Sequence, residues 1–62
     1  MSRIAEYEFP SPEVAEKAKY EIVNQCGSSA ATLHGSYVEI TSECTDPSLA
    51  AQICQAHGGV AK

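Results

Sequence analysis

The side chains in this sequence that could do chemistry are three cysteines, two histidines and eight carboxylates. Cys54 and His57 are three residues apart, so on a helix a thiol and an imidazole sit one turn apart, in reach of one metal ion or of each other. Two ligands fall short of the four a structural zinc takes, and Cys26, Cys44 and His34 add no finger-like spacing. As a nucleophile and base, the same two residues lack a third orienting group and an oxyanion donor. Glu6, Glu8 and Glu39 offer paired carboxylates, but on an open strand face water would keep their pKa values from separating as acid–base work requires. Gly27, Gly35, Gly58 and Gly59 read as turn and helix-stop residues rather than a phosphate-binding loop. The expectation is therefore a protein that is not an enzyme and holds no metal or cofactor. Cysteine then serves as a small buried hydrophobe. A metal- or redox-linked carrier using Cys54, Cys44 and His57 is kept as a minor alternative.

The elements that place these residues follow from periodicity and punctuation. Ala30 to Thr41 reads as a β-hairpin turning at Gly35-Ser36, where glycine supplies the positive φ of a type I′ or II′ turn. That turn pairs His34 with Tyr37, Leu33 with Val38, Thr32 with Glu39 and Ala31 with Ile40. Ala31, Leu33, Val38 and Ile40 share one face, and Thr32, His34, Tyr37, Glu39 and Thr41 the other. Upstream, Ile4 to Phe9 alternates with period two, with Ala5, Tyr7 and Phe9 on one side and Ile4, Glu6 and Glu8 on the other. Ser11-Pro12-Glu13 opens a helix with a cap, a proline at its first position and an early acid. The helix is predicted to reach Gln25 or Cys26 and to end on a left-handed Gly27. It buries Val14, Ala15, Ala18, Ile22 and Cys26 and turns Glu13, Glu16, Lys17, Tyr20 and Asn24 outward, with Glu13–Lys17 and Glu16–Lys19 as ion pairs.

Asp46-Pro47 starts a second helix the same way. Leu49, Ala50, Ile53, Ala56 and His57 gather on its inner side, and Ser48, Ala51, Gln52 and Gln55 lie outside. Gly58-Gly59 stops it, with His57 as an end residue suited to the helix dipole. Val60-Ala61-Lys62 is too short to assign and leaves a vestigial last strand open. The two halves echo each other: strand, capped Pro-led helix, glycine. The order β-α-β-β-α predicts an α+β fold: a three-stranded antiparallel sheet in spatial order 1-3-2, a split β-α-β arrangement, with both helices on one face.

Sixty-two residues make a single domain, 1–62, with a small core and no room for a deep cleft. The net charge of −4 argues against direct binding to nucleic acid or anionic membrane. No apolar run approaches a membrane span and no signal-peptide core follows Met1, so a cytoplasmic protein is expected. An odd, irregularly spaced set of cysteines, Cys26, Cys44 and Cys54, makes reduced thiols the default.

With helices on one face, the other sheet face displays Glu6, Glu8, Thr32, His34, Tyr37, Glu39 and Thr41. RNA-binding sheets of this topology carry stacking aromatics and basic residues there; here there is one tyrosine among carboxylates. Such a platform suits a basic protein surface, although a solvated polar face is the ordinary condition of an antiparallel sheet. In size, acidity and lack of catalytic motifs the chain resembles small inhibitors of phages and mobile elements, anti-CRISPR proteins above all. That resemblance implies a monomeric inhibitor in a bacterial host cell that blocks a basic nucleic-acid-binding protein. The partner would be a Cas effector subunit, with carboxylates standing where DNA phosphates would sit. The candidate contacts are Glu6, Glu8 and Glu39 on the sheet, Glu43 and Asp46 at its edge, and Tyr37 as central anchor. A charge of −4 is modest for a mimic of duplex DNA. The rival expectation is a structural or homo-oligomerising module that pairs through the outer side of the second helix or a strand edge.

Overall fold

The computed structural model describes residues 3–61. The elements are β1 (Arg3–Glu8), α1 (Pro12–Cys26), β2 (Ala31–His34), β3 (Tyr37–Thr41), α2 (Pro47–Ala56) and β4 (Val60–Ala61). All strand pairs are antiparallel, and the sheet has four strands in the order β2-β3-β1-β4. The expected order 1-3-2 survives as a block, but the expected three strands become four. β4 adds itself to the outer edge of β1 through Tyr7–Ala61 and Glu8–Val60 pairing. Both β4 residues are exposed, so no apolar alternation announces them. Backbone hydrogen bonding to an open edge suffices for a strand of this length. Lys62, the third residue considered for a strand here, lies outside the described residues. With β4 the fold is two interlocked split β-α-β units, β1-α1-β2 and β3-α2-β4.

The hairpin register is the one its turn dictates: Ala31–Ile40, Thr32–Glu39, Leu33–Val38 and His34–Tyr37. Gly35 has φ +63° while no non-glycine residue among those described has positive φ, so Ser36 is negative and the turn is of the II′ kind. β1 continues this sheet with Glu6 opposite Glu39 and Glu8 opposite Tyr37, after a bulge between Arg3 and Ala5.

Both helices start as their sequences dictate. Ser11 Oγ accepts from the Val14 N–H at 3.3 Å, and Asp46 Oδ1 accepts from the Leu49 N–H at 3.1 Å. α2 ends in a Schellman arrangement, with Gly58 N–H donating to the Gln55 carbonyl and Gly59 N–H to the Cys54 carbonyl. α1 ends differently from expectation. Gly27 sits at φ 114°, ψ 155°, which is positive but not left-handed helical, and its N–H donates to the Val23 carbonyl. The chain thus leaves α1 extended rather than curling back.

α1 packs over β2 and β3, and α2 packs on α1. Their inner residues Ala15, Ala18, Ile22, Cys26, Ala50, Ile53 and Cys54 share one core with Tyr7, Phe9, Ala31, Val38 and Ile40. Several positions depart from the predicted pattern. Ala56 is exposed and Cys54 takes its place on the inner side of α2, while Ala51 packs partly against the core. Leu33 is only half-buried because β2 is an edge strand. Neither Glu13–Lys17 nor Glu16–Lys19 is an ion pair among the described residues; Lys19 Nζ instead lies 4.8 Å from the Tyr20 ring centroid.

Candidate functional site

Strand pairing lays out the uncovered sheet face in two rows. One runs His34, Tyr37, Glu8, Val60 across β2, β3, β1 and β4; the next runs Thr32, Glu39, Glu6. Glu6 and Glu39 face each other directly across β1 and β3. Glu8 adjoins Tyr37 in the other row. The face is therefore acidic at its centre, on β1 and β3, with an aromatic beside the carboxylates.

His34 orders the β2 side of this face. Its ring stacks on Tyr37, centroids 5.3 Å apart with 24° between planes. Its Nε2 lies 3.0 Å from Glu39 Oε1, the diagonal neighbour across the hairpin. The imidazole thus clamps both the anchor tyrosine and one carboxylate. His34 was not among the expected contact residues. The signal was nevertheless present in the register, which sets it opposite Tyr37 and one diagonal from Glu39.

The two remaining expected contacts lie elsewhere. Glu43, exposed, follows β3 and lines an open depression of about 290 Å³ with Ser28, Ser29, Ala31, Thr32 and Thr41. Its backbone N–H donates to Thr41 Oγ1, whose hydroxyl in turn donates to the Ser29 carbonyl. Asp46 belongs to the helix layer: its carboxylate caps α2 and its carbonyl accepts from the Cys26 thiol at 3.7 Å. Four of the six expected contacts, Glu6, Glu8, Tyr37 and Glu39, thus share the sheet face. A second open depression of about 420 Å³ lies at the rim between β1 and β4, lined by Glu8, Phe9, Pro10, Gly58 and Val60.

Cys54 and His57 do not converge. Cys54 is fully buried, and burial pushes its thiol up to about 11, so it stays protonated at neutral pH. The His57 ring turns to α1, with Nε2 2.9 Å from Glu21 Oε1, and so ties the two helices together. The residues just after Cys44 bind Cys26, through Thr45 and Asp46, and Cys54, Cys44 and His57 do not form a group that could hold a metal ion. Among the described residues no group of His, Cys, Asp and Glu is arranged to hold a metal ion, and no helix is long and apolar enough to cross a membrane. Comparison with family models, curated proteins and solved structures finds no match for this chain.

Proposed function

We propose that this chain is a non-enzymatic binding protein that engages a basic protein surface through the open face of its sheet. The observation that carries this reading is the convergence of Glu6, Glu8 and Glu39 around Tyr37 on adjacent central strands. A cationic partner would meet complementary charge at the facing Glu6 and Glu39 carboxylates. Tyr37, half-buried and stacked on His34, is pre-oriented, so little rotamer freedom is lost when it is covered. The resemblance to small phage inhibitors makes a nucleic-acid-binding protein, and a Cas effector subunit in particular, the first partner to test. In that role the carboxylates occupy positions that phosphates take on the same surface.

The test is a pull-down from bacterial lysate at low and high salt, with mass spectrometry of the retained proteins. A Glu6→Gln, Glu8→Gln, Glu39→Gln variant runs beside the natural sequence. A basic nucleic-acid-binding protein retained at low salt is expected. The variant should bind it more weakly by on the order of ten- to a hundredfold. Equal retention by both proteins overturns the sheet face as interface.

A second reading, self-association, is favoured by the edge position of β2 and the exposed, uncharged residues Ser48, Gln52 and Gln55 of α2. Recovery of the bait alone, at a mass above monomer, would support it over the first.

A further inference from the structure

We propose that Cys26 and Cys44 are a disulfide site, closed by a small-molecule disulfide such as oxidised glutathione, that fastens the end of α1 to the loop entering α2. The sequence gives no reason to pair these two, eighteen positions apart in an odd-numbered set; the fold does. Cys26 is the last residue of α1, and the chain just beyond Cys44 is bound to it twice. Thr45 donates its hydroxyl to the Cys26 carbonyl at 3.3 Å, and the Cys26 thiol donates to the Asp46 carbonyl at 3.7 Å. Cys44 itself is held by its N–H to the Thr41 carbonyl, directly before the Thr45 that binds the Cys26 carbonyl. Burial, with the neighbouring Cys44 thiol next in effect, raises the Cys26 thiol above its ordinary value. Both are free thiols within the core, 3% and 7% exposed. Cys54 is also buried, but it sits on the inner side of α2, where burial raises its thiol.

The reaction balances as thiol–disulfide exchange. The Cys44 thiolate, on a loop and the more exposed of the pair, attacks one sulfur of oxidised glutathione and expels glutathione thiolate. The Cys26 thiolate then attacks the Cys44 sulfur of this mixed disulfide, forming the Sγ–Sγ bond and releasing the second glutathione. Two electrons reduce the glutathione disulfide, and the two protons from the protein thiols end on the two glutathiones. The raised Cys26 thiol makes the second step slow at neutral pH and faster under mildly alkaline conditions. Because Cys44 lies in a connection rather than a helix or strand, the small approach that bond formation requires falls on adaptable backbone.

The test treats the reduced, folded protein with excess oxidised glutathione at mildly alkaline pH. It is then denatured and alkylated, cleaved after glutamate and sequenced by fragmentation mass spectrometry. The expected product is lighter by two hydrogen atoms, alkylated at Cys54 alone, with Cys26 linked to Cys44. Its thermal midpoint should lie above that of the reduced form by on the order of 10 °C, because the bond closes a loop spanning the hairpin. A Cys54→Ala variant should form the same link, and a Cys44→Ala variant none. Three alkylated thiols, a lasting glutathione adduct, a link through Cys54, or a lower midpoint for the linked protein would each overturn the proposal. So would equal yield of the same link from the urea-unfolded chain, because the fold would then not be what selects it.

Discussion

A Cβ added at Gly59 would lie 2.8 Å from Cε2 and Cζ of the Phe9 ring and 2.9 Å from the Cys54 carbonyl oxygen. Neither neighbour can yield cheaply. Phe9 is 4% exposed within the core, and the carbonyl is backbone that also accepts the Gly59 N–H at 2.8 Å. Gly59→Ala is therefore expected to destabilise the protein by about 1–3 kcal/mol through overpacking. The urea midpoint should fall with an unchanged slope, and an unchanged midpoint would show that the ring or the helix end gives way freely. From the sequence Gly59 is a helix stop; that it is also the floor on which Phe9 rests depends on a contact fifty residues away. The same holds for His57, legible as a residue at a helix end but not as the partner of Glu21 on the other helix. Cys54 was readable as a small buried hydrophobe from its residue type, although the helical period put Ala56 on the inner side instead.

At the scale of elements, local chemistry and structure agree closely. Both helix starts, the hairpin register and the alternation of β1 follow from caps, turn residues and periods of two and 3.6, all set by neighbours within a few positions. α2 tests this most directly. Its segment Pro47–Ala56 contains no charged residue, so Asp46 alone supplies both the cap and the negative charge at its N-terminus. Asp46→Ala should cost about 1 kcal/mol in thermal or urea unfolding, whereas Asp46→Asn, which keeps the cap, should recover most of it. Equal losses in the two variants would assign the effect to charge rather than to the hydrogen bond to Leu49.

At the scale of the molecule, the sheet has two open edges, β2 and β4, and a Cα radius of gyration of 9.7 Å. β4 is two residues long and β2 four, lengths that offer few unpaired backbone groups to another chain. The face-binding reading therefore expects sedimentation at the monomer mass of 6.6 kDa, independent of protein concentration and of salt. A mass that doubles with concentration would favour edge or helix pairing and the structural-module reading instead. Salt should weaken partner binding, where the acidic face meets a cationic surface.

By itself the sequence determined the α+β class, the helix boundaries to within a residue or two, the hairpin register and which side chains share the Glu6, Tyr37, Glu39 face. These are decided by short-range sterics, capping and hydrophobic period, which a linear chain displays directly. Only the tertiary structure decided that β4 joins β1, that Ala56 stays outside the core, and that His57 turns to Glu21 on the other helix. It alone brought Cys26 to Cys44. Such features come from open backbone edges, from the packing of one helix on the other, and from side chains meeting across long stretches of chain, and no local pattern encodes them.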